Sequence, residues 1–421
     1  MTTRSSSDAL LAETIREESG RLVARLTRLL GDFDVAEEAV QEAVLEALTA
    51  WRRNPPANPA AWLTLAARRN ALDQLRARGR SARRLDAMAN EPALAPDGSP
   101  NEPATALDAT PDERVGLLFA CCHPALPADA RVALTLRAVV GLTTPQIARA
   151  FLLNEVTLAQ RIVRAKRKIV ATGIRLQVPD PAELPARLAD VLRVVYLAYS
   201  EAYVSSEGPG HDRDLGADAV WLAGSLASAL PDQAEAWGLL ALLTVQHGRA
   251  GARLDATGSL VPLRDQHRSR WNPQALQSAQ HALARAAALH RTGPYQLQAA
   301  IATLHAEAPT WEATDWGQIA TLYAALRQLD DTPVVRLNEA IAVSFLRPDR
   351  VEHVLADLDA LADRLGEYHL WHATRAEMLR RLGRTAEAHE ATRRALSLTD
   401  NEAERRLLIT RLHRQSVDDI P

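Results

Sequence analysis

The chain has 421 residues, of which 47% are hydrophobic, enough for two to four domains with sizeable cores. No run approaches ~18 uninterrupted apolar residues, and the opening Met-Thr-Thr-Arg-Ser-Ser-Ser-Asp lacks the apolar stretch of a signal peptide, so a cytoplasmic protein without a membrane span is expected. The net charge of −3 conceals an asymmetry: residues 1–175 carry 24 Lys+Arg against 20 Asp+Glu, and the remainder carries 25 against 32.

Strand signals are nearly absent, and apolar residues recur at helical spacing, which predicts an all-α protein. Residues 8–31 form one amphipathic helix that Gly31 can end. Asp34 is expected to cap a second helix over 35–51. Asn54-Pro55-Pro56-Ala57-Asn58-Pro59 then breaks the chain, and Asn58 with Pro59 starts a third helix from about 60 to 84. That helix is cationic: Arg68, Arg69, Arg76, Arg78, Arg80, Arg83 and Arg84 face only Asp73. Residues 86–111, with Pro92, Pro96, Pro100, Pro103 and Pro111, read as a flexible linker. Helices resume at Asp112, pause at Pro124 and Pro127, and run again over Ala128–Val140.

Residues 144–168 read as a helix-turn-helix after the turn at Gly141. Ile147, Ala148, Leu158 and Ile162 are its expected core. Thr157, Gln160, Arg161 and Arg164 fall on the exposed side near the start of the second helix, where Gln suits adenine edges and Arg suits guanine edges. Lys166, Arg167 and Lys168 lie further along and suit phosphates. Upstream, Asp34, Glu37, Glu38, Gln41 and Glu42 are expected on the exposed side of the second helix. An acidic helix is a poor DNA ligand but a good partner for a cationic protein surface. Residues 186–415 are helical with a degenerate repeat marked by Trp237, Trp316 and Trp371, which fits tetratricopeptide-like units.

In this order the motifs resemble a bacterial sigma factor of the extracytoplasmic-function (ECF) type. Asp34–Trp51 resembles the polymerase-binding helix of the second sigma region. Trp62–Arg76 resembles the helix that reads the minus-ten element, which places Arg68, Arg69, Asn70 and Arg76 on DNA. Residues 112–172 resemble the fourth region, which reads the minus-thirty-five element. In such factors the loop equivalent to 52–59 pockets an unstacked base, which assigns phosphate and base-edge contacts to Arg52, Arg53, Asn54 and Asn58. Many relatives have an aromatic where Val44 stands. The tail resembles that of a subgroup with a tetratricopeptide-like extension. The resemblance therefore implies a second-region domain (8–85), a linker (86–111), a fourth-region helix-turn-helix domain (112–175) and an extension (186–415). Its implied partners are core RNA polymerase and promoter DNA, with the acidic extension in possible contact with the sigma domains.

No cofactor and no catalytic constellation are expected, and a metal reading of Cys121-Cys122-His123 is rejected, because adjacent cysteines on a helix point about 100° apart and no third cysteine exists. Leu263–Asn272 and Gly293–Gln298 are polar segments unlike repeat filler; they knit the tail internally or form a ligand or partner site. Two other functions compete with this reading. One is a DNA-binding transcriptional regulator with a helical sensor domain that does not bind polymerase; the acidic helix and the 52–59 loop argue against it. The other is an enzyme built on the tail, which no motif supports.

Overall fold

The computed structural model describes residues 2–51, 54–77, 112–150, 153–205 and 215–418. Among them there is no strand, only an isolated bridge between Leu254 and Leu260. No helix among the described residues is long and apolar enough to cross a membrane. The chain divides into two compact units: residues 1–203 with 213–229, and residues 230–421 with 204–212.

The first unit begins with α1 (Thr2–Leu30), which ends at Gly31 in the left-handed conformation (φ 61°). α2 (Phe33–Ala50) follows. Its cap is Asp32 and not Asp34: Asp32 has extended backbone, and its carboxylate accepts the Val35 N–H at 3.1 Å. Phe33 is thereby buried, and Asp34 drops into the first turn, where a carboxylate still meets the positive helix end. α3 (Pro59–Ala77) starts as its sequence demands, with Asn58 Oδ1 accepting the Ala61 N–H at 3.0 Å. The expected continuation to 84 and the 86–111 linker lie outside the described residues. Leu22, Leu26, Leu30, Val40, Leu63 and Leu75 close the core between these three helices.

α4 (Asp112–Cys121) and α5 (Ala128–Ala138) precede the helix-turn-helix, α6 (Thr144–Ala150) and α7 (Glu155–Thr172). Asn154 caps α7 by accepting the Val156 and Thr157 N–H groups at 3.0 and 3.2 Å. Ile147, Ala148, Leu158 and Ile162 are buried as the motif requires. Cys121 and Cys122 are buried helix-end residues; burial pushes the Cys122 thiol up to about 12, and its sulfur lies 3.5 Å from the Thr135 hydroxyl. Two more helices, α8 (Leu184–Ser205) and α9 (Leu215–Ala229), complete this unit. Arg187 of α8 donates to the Phe119 carbonyl at 2.9 Å, and Asp190 pairs with Arg131 at 3.4 Å. Arg114 lies 5.1 Å from the Trp221 ring centroid. The helices expected to open the tail therefore pack within the first unit.

The second unit is a succession of paired helices: α10 (Ala234–Gly248), α11 (Pro273–Ala288), α12 (Pro294–Glu307), α13 (Trp316–Leu329), α14 (Pro333–Leu346), α15 (Val351–Asp359), α16 (Ala362–Leu365), α17 (His369–Arg381), α18 (Thr385–Ser397) and α19 (Glu402–Asp418). Small residues such as Ala376, Ala388 and Ala391 sit at the helix crossings, and Trp371 anchors the pair by donating to the Leu358 carbonyl at 2.9 Å. The two polar segments knit this unit internally. Asn272 caps α11, Trp271 lies between Arg249 and Arg268, and the Tyr295 and Gln296 N–H groups donate to Glu235 at 2.9 and 3.1 Å.

Candidate nucleic-acid and polymerase interface

α7 is amphipathic. Leu158, Ile162, Ala165 and Ile169 form the buried stripe. Thr157, Gln160 and Arg164 face solvent, with Arg164 donating to the Gln160 side chain at 3.3 Å. Arg167 and Lys168 are exposed. Arg161 is half-buried and pairs with Asp129 of α5 at 3.1 Å, so its charge is partly spent within the domain. Lys166 departs from the expectation. It lies four residues beyond Ile162, on the apolar stripe, and is only 8% exposed. Burial lowers its pKa, opposed by the neighbouring Asp34. In this conformation Lys166 does not present a charge to phosphate.

The acidic helix divides the same way. Asp34, Glu38 and Glu42 are exposed on α2, and Glu42 accepts from Gln74 of α3 at 3.2 Å. Glu37 and Gln41 are buried, contrary to the expectation for both. They sit three or four residues from Phe33, Val40 and Val44, inside the helix's apolar stripe. Glu37 accepts from Arg137 Nε and Lys166 Nζ. Val44, the departure from the family pattern, is buried packing.

α3 presents Arg69 and Arg76 to solvent, with Arg68 half-buried. These three arginines, with Leu65, Leu72 and Asp73, line a shallow recess of about 140 Å³. Arg69 pairs with Glu46 of α2, and Arg76 with Asp73 at 3.0 Å. Asn70 is a second correction. It is buried, and its amide donates to Glu46 at 3.0 Å, so it ties α3 to α2 rather than facing DNA. In the loop, Asn54 is exposed and Asn58 is occupied as the helix cap. Arg52 and Arg53 lie outside the described residues.

No group of three or more His, Cys, Asp or Glu side chains is placed to hold a metal ion among the described residues. The second unit holds a cavity of about 540 Å³, lined in part by Leu263, Arg264, Trp311, Phe345 and Arg380. Sequence reasoning missed Arg137 of α5 and its contact with Glu37. The available signal was Arg137 alone among the apolar residues of the last two turns of α5, just before the turn at Gly141.

A capped helix-turn-helix with an exposed polar stripe, beside a three-helix domain that exposes Arg69 and Arg76, has the form of a DNA-binding protein. Residues 14–81 match the family Sigma-70 region 2, residues 117–169 match Sigma-70 region 4, and residues 187–287 match a family of unknown function (DUF6596). The chain belongs to the sigma factors of the ECF type and carries a C-terminal extension. It is 42% identical over 389 residues to an uncharacterized protein of Rhizobium meliloti (strain 1021), an alignment covering 90% of this chain and 89% of that one. Sigma factors bind RNA polymerase and promoter DNA and have no chemistry of their own.

Proposed function

We propose that this protein directs core RNA polymerase to specific promoters, reading the minus-ten element with region 2 and the minus-thirty-five element with region 4. The observation that carries this reading is the exposed stripe Thr157, Gln160 and Arg164 on a capped α7, followed by Arg167 and Lys168. The first three suit base edges and the last two suit phosphates. Arg161 joins the base-reading set when it exchanges Asp129 for DNA. In region 2, Arg68, Arg69 and Arg76 supply the minus-ten contacts, with Arg52, Arg53 and Asn54 at the loop. Asp34, Glu38 and Glu42 supply the polymerase contacts available on α2. The protein works in the cytoplasm, where its polymerase is.

The extension, read as a tetratricopeptide-like array, regulates initiation. Its acidic balance, 32 Asp+Glu against 25 Lys+Arg beyond residue 175, opposes the basic DNA-reading segments. The reading is tested by mobility shift of a promoter fragment with core polymerase and this protein together. A specific polymerase–promoter complex formed only when this protein is present supports it. Duplex binding by the protein alone, unaffected by polymerase, favours a regulator of another kind.

A further inference from the structure

The cavity of about 540 Å³ in the second unit serves no step of the sigma reading. Its size falls within the roughly 300–1,000 Å³ of small-molecule sites. One wall is aromatic and held from several sides. Trp311 meets Phe345 edge to face, with 5.2 Å between ring centroids. Trp316 lies outside the lining and packs on both, 4.8 Å from Trp311 and 4.5 Å from Phe345. His305 stacks on Trp311 at 5.9 Å, and Arg381 lies 5.2 Å from the Phe345 centroid. Arg381 is itself fixed, donating to the Ser344 hydroxyl at 3.0 Å and the Ser344 carbonyl at 2.8 Å. A wall so held loses little freedom when a ligand arrives. Ile341, Leu370 and Met378 extend the apolar surface.

The polar side has a defined acceptor requirement. Three arginines, Arg264, Arg380 and Arg411, line the cavity against two acids, Asp265 and Glu377, which leaves one net positive charge. Arg380 pairs through Nη1 with Glu377. Its Nε and Nη2 are buried and have no hydrogen-bond partner among the described residues. Those two N–H groups lie on one edge of the planar guanidinium, the fork that fits both oxygens of a carboxylate. Other arginines of this unit use the edge in that way. Arg384 gives Nε and Nη2 to Glu387 at 2.7 Å each, and Arg347 gives them to Asp349 at 3.1 and 3.0 Å. Buried donors without an acceptor cost stability, so the unmatched edge at the cavity wall calls for a partner.

We propose that this cavity binds a small organic monocarboxylate with a ring-bearing apolar body. The body lies against Trp311, Phe345 and Ile341, and the carboxylate takes Nε and Nη2 of Arg380. That edge is covered by its neighbours, so binding turns the Arg380 side chain towards the cavity. One net positive charge matches a monoanion; a dianionic phosphate would leave the site net negative beside Asp265 and Glu377. The binding site stands on the second unit alone. That the bound ligand alters initiation rests on the reading of the extension as a regulator.

Isothermal titration calorimetry on the full-length protein tests the site, with indole-3-acetate and 2-naphthylacetate as probes, each beside its primary amide. The amides keep the shape and lose the charge. Two variants address the two halves of the site. Arg380→Lys keeps a cation but loses the fork. Ala373→Phe, at a lining position of α17, fills the cavity. At least one carboxylate should bind the parent one to one, and its amide should bind at least about ten-fold more weakly, the loss of a charge-assisted contact. Arg380→Lys should weaken binding by about ten-fold and Ala373→Phe should abolish it, with parental helicity by circular dichroism in both. No saturable binding of either carboxylate, equal binding of acid and amide, or undiminished binding in both variants overturns the site. Binding that leaves run-off transcription with core polymerase unchanged keeps the site and overturns the regulatory reading of the extension. Binding by a protein that supports no transcription keeps the site and overturns the sigma reading.

Discussion

Replacing Glu37 by Gln removes the one carboxylate that Arg137 and Lys166 share. The side chains of those two partners are 18% and 10% exposed, so both are left largely desolvated. Breaking a buried ion pair from one side costs about 3–5 kcal/mol. Asp34 remains 3.4 Å from Lys166 but is more than half exposed, and such a pair returns no more than about 1 kcal/mol. The expected loss of docking stability is therefore about 2–4 kcal/mol, capped by the free energy of separating the two regions, since separation returns all three groups to water. Hydrogen exchange read by mass spectrometry on α2 and α7 amides measures this loss without polymerase or DNA. A cycle with Lys166→Met should give a coupling of about 1–3 kcal/mol, as for groups in one network. A Glu37→Gln protein with protection unchanged to within about 0.5 kcal/mol, and a coupling no larger, would refute the burial argument.

Arg164→Ala should weaken promoter binding by about 1–3 kcal/mol if Arg164 reads a base edge, or flatten the salt dependence if it grips phosphate. Arg161→Ala should cost less, because Asp129 already holds that guanidinium; titrations at several salt concentrations distinguish the cases, and no change in either variant contradicts the α7 assignment. A fragment ending at 175 loses α8, whose Val191, Val195 and Arg187 pack on or bond within the first unit, so it should melt without cooperativity, whereas a fragment ending at 229 should melt as one transition by calorimetry. His305 of the second unit is held at about 4 by burial among Trp311 and Trp316 with Arg249 and Arg268 nearby, below its usual 6.5. A lowered histidine is neutral in the fold and takes a proton on unfolding, so its contribution is complete above about pH 6.5 and is lost as pH falls towards 4; thermal melts of the parent should drop over that window by up to about 3 kcal/mol, and His305→Leu should remove most of the drop.

The parts of this fold that local chemistry decides were legible from residues alone. Asn58 before Pro59, Gly31 after a helical run and Gly141 before the helix-turn-helix each mark an element boundary where the structure has one. The apolar set Ile147, Ala148, Leu158 and Ile162 is buried. Charge type proved a poorer guide than register. Glu37, Gln41 and Lys166 have the polarity of surface groups, and the family resemblance puts Asn70 on DNA, yet each falls at the three- or four-residue spacing of its helix's buried stripe. Asn70 is there to join α3 to Glu46, and Glu37 and Lys166 are there to meet each other across 129 residues of sequence. No single-helix pattern shows that pairing, because the partner lies in another domain. The placement of α8 and α9 was likewise hidden. Their apolar spacing says that they are buried, not against which neighbour.

Run-off transcription with purified core polymerase tests the central claim most directly. The template is a promoter selected from random sequence by the polymerase–protein complex, and the protein is full-length, beside an Asp34→Arg, Glu38→Arg, Glu42→Arg variant. Discrete transcripts from one start site with the parent protein, lost in the variant while its helicity by circular dichroism is kept, are the predicted result. No selected promoter and no transcript above that of core polymerase alone would contradict the account.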